Sequence, residues 1–363
     1  VCRAVRRLVD TGVVVVAAAG NDGRDGGGRK IYGTVHSPAN EPSALTVGAT
    51  NTFGTDARGD DVVTTYSSRG PTRSHWTDES GARHYDNLIK PDVVAPGNKI
   101  VAAEAADNLL VRQFPEIDAG VNNRGNRMMR LSGTSMSAGV VSGAAALVLE
   151  ANPTLTPNMV KMIFMYTAQQ LAGQNYFEQG AGALNVEGAL RLARMVRTDL
   201  SHAAQFGTPL LVRGAPEVQP RSIIAGQGFP WAQGILLNHT YATGAELVGK
   251  YQGIYDLGVI FGDGVIFGDG IIIGDAAKFT NGVIFGDHVL TSNGVIFGDG
   301  NVFCDSGVLF GGGVIFSDRV IFGDGVIFGD GVIFSDGVIF GDVVLKPFDA
   351  TFGGDSTVGM SPQ

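Results

Sequence analysis

The spacing of apolar positions changes along the chain, and each change marks an element. Val1, Val5, Leu8 and Val9 recur at helical spacing with Arg3, Arg6 and Arg7 between them, which predicts a helix stopped at Asp10-Thr11-Gly12. From Val13 to Ala19 the chain is apolar without alternation, as expected of a central parallel strand covered on both faces. It ends in Gly20-Asn21-Asp22-Gly23, and strand-to-loop junctions are where open α/β sheets place their chemistry. Asp22 to Lys30 is a polar, glycine-rich loop. Val62 to Ser68 is β-prone and runs into an Arg69-Gly70-Pro71-Thr72 turn. Lys99 to Ala103 reads as a short strand, with polar surface excursions expected at Arg73 to Leu88 and Glu104 to Arg130.

After Leu131 the helical period returns. Val140, Val141, Ala144, Ala145, Leu147 and Val148 predict a mostly buried helix closed by Asn152-Pro153. Thr156-Pro157 then supplies an N-cap and a first-turn proline for a second helix with Val160, Ile163, Phe164 and Thr167 on its face. Glu187 to Arg197 is the last amphipathic stretch, and a loop-rich connector with room for a strand or short helix at Ile235 to Leu247 fills residues 198–257. From Gly258 a six-residue period takes over. Gly258-Val259-Ile260-Phe261-Gly262-Asp263 recurs unchanged from Gly264, Gly282, Gly294, Gly325 and Gly337, and one extra residue near Asp305 to Gly307 shifts the phase. Val-Ile-Phe is β-prone and Gly-Asp-Gly is a turn signal. Three units per triangular coil would stack residues 258–342 into about five coils of a β-solenoid. The alternative for this region is a low-complexity, amyloid-like or poorly ordered tail. Residues 343–363 form a tail.

Composition narrows the partners. Lys plus Arg is 26 against Asp plus Glu 35, a net charge of −9, so a nucleic-acid partner is not expected. Cys2 and Cys304 make no disulfide framework and no metal-ligand spacing. No apolar run has the roughly 18 residues of a transmembrane helix, so no membrane span is expected. The chain opens inside a predicted helix, without Met, and is therefore expected to be the C-terminal part of a longer polypeptide.

The candidate chemistry lies at Leu131-Ser132-Gly133-Thr134-Ser135-Met136-Ser137-Ala138-Gly139, where small residues surround a hydroxyl at a turn-to-helix junction. Free N–H groups and the helix dipole stabilise negative charge at such a point. From the residues alone, a capped Gly/Ala-rich core helix accounts for the pattern equally well. Gly-Thr-Ser-Met-Ser-Ala-Gly resembles the nucleophile motif of the subtilisin-like serine peptidases, except that the family usually has Pro where Gly139 stands. Ala17-Ala18-Ala19-Gly20-Asn21 resembles the segment whose Asn completes the oxyanion hole, although an Asn-Asp-Gly turn explains the same residues. Tyr66-Ser67-Ser68-Arg69-Gly70-Pro71, Lys90-Pro91-Asp92-Val93-Val94-Ala95-Pro96-Gly97 and Gly180 to Val186 are further phrases similar to that family, in its order. Thr34 to Ala49 resembles the S1-lining segment, with His36 at the pocket floor beside Pro38; a surface histidine in a loop is the competing interpretation.

The resemblance covers Val1 to Arg197. It implies a partial subtilisin-like parallel sheet with flanking helices, ahead of the all-β hexapeptide region, and an α/β fold class for the first part. It implies a serine endopeptidase acting on protein or peptide substrates, with Ser135 as nucleophile and Asn21 as oxyanion donor. Ala18, Ala19, Gly20, His36, Pro38 and Thr134 would line the substrate. Triad partners in this family precede the oxyanion Asn in the order Asp, His, Ser. Asp10 precedes a strand rather than following one, and His36, His75, His84, His202, His239 and His288 all follow Asn21. The general base and its carboxylate are thus expected upstream, in another part of the same polypeptide, which is expected to be secreted or extracellular. The chemistry requires no cofactor. Calcium stays open through the repeat carboxylates Asp263, Asp269 and Asp275, whose equivalents three units on would stack about 4.8 Å apart. The other function in view is a structural or adhesive β-solenoid protein with a degenerate, inactive peptidase module.

Overall fold

A computed structural model describes residues 1–77, 79, 81, 83–200, 210–212, 214, 218–237, 240–243 and 354–355, together with backbone strands between Ala277 and Phe340. Helix α1 (Cys2–Asp10) precedes β1 (Val16–Ala18), which pairs in parallel with β2 (Leu45–Asn51). β3 (Val62–Val63) pairs antiparallel with the last residues of β2, and the hairpin β4 (His75–Thr77) and β5 (Arg83–Tyr85) projects from the surface. β6 (Val93–Pro96) lies parallel to β2 on the side away from β1. The parallel order is therefore β1-β2-β6, extended past β6 by a bridge from Val94 to Ala183.

β2 is buried along its whole length, Thr46, Thr50 and Asn51 included, as expected of a strand covered on both faces. β1 departs from expectation. It is shorter than the Val13 to Ala19 run, has a partner on one side only, and leaves Val13 46% exposed, so it is an edge rather than a central strand in the described sheet.

Beyond β6, β7 (Ile100–Ala103), α2 (Leu109–Gln113), β8 (Asp118–Val121) and β9 (Arg127–Leu131) form a small antiparallel unit. Val111, Ile117 and Met129 give it a core of its own. The polar excursion expected over Glu104 to Arg130 is thus largely structured, because three apolar residues spread through a polar stretch meet only in three dimensions.

Helix α3 (Thr134–Ala151) packs Val141, Ala144, Ala145 and Val148 into the main core with Val47, Val93 and Ala95. Only one face is buried; Gly139, Val140, Gly143, Ala146 and Leu147 face outward, in line with the exposed Ser135. This is less burial than the apolar sequence predicts. Among the described residues α3 is the one helix long and apolar enough to cross a membrane, and here it lies against the sheet.

α4 (Pro157–Thr167) starts as its sequence requires: the Thr156 hydroxyl accepts from Met159 N–H at 3.3 Å, with Pro157 in the first turn. α5 (Tyr176–Gln179) carries an Asn175/Glu178 capping box, and α6 (Val186–Ala193) completes the helical layer. The hairpins β10 (Arg221–Ile224) with β11 (Gln227–Pro230) and β12 (Gly234–Leu237) with β13 (Thr240–Thr243) follow. Leu210, Trp231, Ile235 and Leu236 share the main core with Phe164 and Leu192, so apolar packing extends past Arg197.

Beneath β2 and β6 lies a buried charge cluster. Asp92 pairs with Lys90 at 2.7 Å and Lys161 at 3.0 Å, and accepts Thr46 N–H at 2.7 Å. Lys161 also donates to the carbonyls of Pro42 and Ala44 at 2.8 Å. Burial holds the Lys161 ammonium below its ordinary range, and Asp92 opposes that shift.

In the repeat region the described strands form a six-stranded and a five-stranded parallel ladder. Val283 pairs with Val295 and Val308 with Val320, twelve residues on, whereas Val295 pairs with Val308, where the extra residue falls. The alternation of two ladders puts two hexads in each turn; three-unit triangular coils would pair residues eighteen apart. The aspartates Asp263, Asp269 and Asp275 lie outside the described residues.

Candidate active site

Sheet order and local hydrogen bonding bring the end of β1 to the start of α3. Ser135 is the second residue of α3 and is exposed. The N–H groups of a helix's first turn lack intrahelical acceptors. Here Thr134 N–H donates to Asn21 Oδ1 at 2.9 Å and Met136 N–H to Gly133 O at 3.0 Å, so the Ser135 N–H remains available.

The first turn is held from several directions. Thr134 Oγ1 accepts from Gly20 N–H and donates to Asn21 Oδ1, both at 3.1 Å. Ser137 Oγ donates to Ala95 O at 2.9 Å, which anchors α3 to β6. Gly133 has φ +142, and a Cβ there would fall 3.1 Å from Asn21 Nδ2, so glycine is needed for both conformation and space.

Asn21 is oriented by this contact. A backbone N–H can only donate, so the amide oxygen must face Thr134, and the amide NH2 points elsewhere. Among the described residues that NH2 has no protein partner. Asn21 and the Ser135 N–H both lie at the N-terminal, positive end of α3.

The expected lining residues gather at the end of β1. Ala18 is paired with Val47, Ala19 is buried and donates to Val47 O at 2.9 Å, and His36 N–H donates to Ala19 O at 2.9 Å. The His36 ring closes over Gly20, and Pro38, half-buried, follows a cis Ser37–Pro38 bond. Thr134 is fully buried.

One member of this site was not visible in the sequence. His36 Nε2 is hydrogen-bonded to the carboxylate of Asp22, itself held by Asp22 N–H donating to Ser68 Oγ at 3.0 Å. Asp22 raises the His36 pKa, chiefly through that hydrogen bond, against the lowering effect of partial burial. The Asn-Asp-Gly triplet reads locally as a turn, and nothing in it signals a partner 14 residues on.

No described side chain hydrogen-bonds to Ser135 Oγ. His75 makes a tilted ring contact with Tyr85, and His202, His239 and His288 lie outside the described residues. No group of three His, Cys, Asp or Glu among the described residues could hold a metal ion, so no fit for calcium is found there. The exposed Ser135 hydroxyl thus stands at a helix start, next to a residue bonded to Asn21, at the carboxyl end of β1.

Comparison with known proteins assigns the particular lineage. A model described as the subtilase family matches residues 1–183, and the chain belongs to that family. It is 32% identical over 188 residues to the serine protease AprX of Bacillus subtilis, covering 52% of this chain and 37% of AprX. It is 32% identical over 185 residues to subtilisin of Bacillus pumilus, covering 51% of this chain and 49% of subtilisin. Fervidolysin from Fervidobacterium pennivorans, a keratinolytic enzyme related to subtilisin, aligns at 23% identity with a TM-score of 0.37 over 52% of this chain and 24% of its own. The chain thus spans less than half the length of these relatives.

Proposed function

We propose that this chain carries the nucleophile half of a subtilisin-type serine endopeptidase. Ser135 Oγ attacks a peptide carbonyl, and the Asn21 amide and the Ser135 N–H receive the oxyanion. The Asp and His that activate Ser135 come from an upstream part of the same polypeptide. The observation that carries this reading is the Thr134-to-Asn21 hydrogen bond at 2.9 Å, which turns the Asn21 donors away from Thr134 and leaves them free beside Ser135. The outward stripe of α3 beginning at Ser135 and the one-sided edge of β1 are consistent with further polypeptide packing there. Substrates are proteins or peptides, the enzyme acts outside the cell, and His36 at the S1 floor favours small or acidic P1 residues, because its ring occupies space an aromatic side chain would need. Catalysis needs no cofactor.

The test is labelling by a serine-directed fluorophosphonate, together with hydrolysis of a peptide library, in residues 1–363 and in a polypeptide with the upstream half restored. Labelling of Ser135 only in the longer protein is expected. A serine hydroxyl without a neighbouring base is a weak nucleophile, and losing triad members costs several orders of magnitude. Strong labelling of residues 1–363 alone would show that a base lies within them, with His36 the first to mutate.

The second reading, a structural or adhesive β-solenoid with an inactive peptidase module, draws on the twelve-residue register of the two repeat ladders. An upstream half without Asp and His motifs would favour it.

A further inference from the structure

The C-terminal tail meets the α/β part at one described point, beside the nucleophile segment. Asp355 Oδ2 accepts from Thr65 N–H at 3.0 Å and Oδ1 accepts from the Thr65 hydroxyl at 2.5 Å. The Asn98 side-chain amide takes the backbone of the same residue in both directions. Its Oδ1 accepts from Asp355 N–H at 2.8 Å, and its Nδ2 donates to Asp355 O at 3.4 Å. Thr65 thus recognises the carboxylate, and Asn98 recognises the N–H and C=O that any peptide presents.

Gly354 completes the fit. It has φ +58, and a Cβ there would lie 2.3 Å from both Asn98 Oδ1 and Ser132 Oγ, so the backbone approaches a wall that admits no side chain. The wall is tied together by its own bonds: Ser132 Oγ accepts from Lys99 N–H at 2.9 Å, and both Asn98 and Ser132 are buried with the tail in place. The feature recognised is therefore a glycine followed by an aspartate.

Its position ties this contact to the site. Ser132 borders the Asp355 contact, and Thr134, two residues on, borders Asn21 and Gly20. Two residues of extended chain span about 7 Å. Asn98 follows β6 and Asn21 follows β1, on opposite sides of β2, about 10 Å apart at ordinary strand spacing. A peptide lying over Ser135 reaches either wall within two or three residues.

We propose that Thr65, Asn98 and Ser132 form a subsite for a Gly–Asp peptide segment, on the other side of β2 from Asn21 and His36, and that residues 354–355 fill it in cis. Peptides bearing the same dipeptide bind only when they displace the tail. The binding stands on these contacts alone; its role as competition with substrate rests on the peptidase reading.

The experiment measures fluorescence anisotropy of a labelled peptide, Phe-Gly-Gly-Asp-Ser, with blocked ends, against the 363-residue chain. Residues 354–355 belong to the same polypeptide and compete intramolecularly for the subsite, so wild type should bind the peptide weakly. Asp355→Ala, which touches no core residue, should bind it at least about tenfold more tightly. Adding Thr65→Val or Asn98→Ala to that variant should lower affinity by roughly 10-fold or more, since hydrogen bonds to a charged group are lost or the backbone clamp is opened. A peptide with Ala for the second Gly should not bind. Equal affinity for wild type and Asp355→Ala, no binding to either, or unimpaired binding of the Ala peptide overturns the proposal. Fluorophosphonate labelling of the extended polypeptide is read separately. Labelling without peptide binding removes the subsite and keeps the peptidase, and peptide binding without labelling does the reverse.

Discussion

The α/β part and the repeat region solve the problem of specification in opposite ways. In the first, decisive contacts are single and distant: Asn21 meets Thr134 across 113 positions, and Lys161 meets the Pro42 carbonyl across 119. In the repeats a strand finds its partner twelve residues on, and again twelve residues on. A contact made once is lost with one residue, whereas a repeated contact has neighbours of the same kind on either side. Chemistry needs the former arrangement, because two donors and a hydroxyl must converge at one place. Extension needs only the latter.

The largest effect expected from breaking the α/β pattern is functional. In the polypeptide with its upstream half, Ser135→Ala should abolish peptide hydrolysis, while Ser317→Ala in a repeat strand should leave it unchanged. Asn21→Ala should lower kcat by roughly 10²- to 10³-fold with little change in KM, the size known for removing one oxyanion donor in a subtilisin. Full activity of Ser135→Ala protein in a peptide assay would remove the assignment.

Next in size is the buried charge cluster. Asp92→Ala leaves Lys90 and Lys161 buried without their carboxylate, and removing one partner of a buried pair costs about 3–5 kcal/mol. Urea unfolding monitored at Trp76 and Trp231 should shift accordingly, with the β signal of the repeats retained. Loss of both signals at one midpoint would show that the two regions unfold together, and the contrast drawn above would fail.

A smaller effect is expected at His36. Its pKa is raised by Asp22, so it carries charge above the usual midpoint near 6.5. Preference for acidic over neutral P1 residues should be fully present at acid pH and fade as pH rises through the raised value. For a half-exposed charge pair the change is up to about fivefold in relative kcat/KM. His36→Ala should flatten the profile. The same sign applies to stability: the Asp22 contact contributes most below the unfolded His pKa and is lost as pH climbs past the folded one.

The smallest effect belongs to the repeats. Deleting residues 313–324 removes one twelve-residue turn and rejoins the ladders in register, so the far-ultraviolet spectrum should keep its shape and the thermal midpoint should move little. A large loss of β signal would show that the turns are not interchangeable.

Much of this was readable beforehand where the signal is local. The Thr156-Pro157 cap, the Asp10-Thr11-Gly12 stop and the placement of Ser135 at a helix start follow from side-chain chemistry within a few residues, and the structure has them where expected. Errors arose where neighbours decide. Val13 to Ala19 has the composition of a central strand, yet its burial depends on what lies beside β1. Val111, Ile117 and Met129 look isolated in a polar stretch until β9 folds back on β7. The hexad was evident, but its period says only that each unit repeats; the twelve-residue register of the paired strands is not contained in it.

By itself the sequence determined the family, the position of Ser135 at a helix start, the caps and the six-residue period, because each depends on residues close together in the chain. Tertiary structure alone decided that Asn21 turns its amide NH2 away from Thr134, that Asp22 is bonded to His36 and raises its pKa, that one aspartate serves two buried lysines, and that Asp355 meets Thr65. Each of these is a meeting of polar groups far apart in sequence, and composition and spacing carry no record of which distant partner satisfies a buried donor.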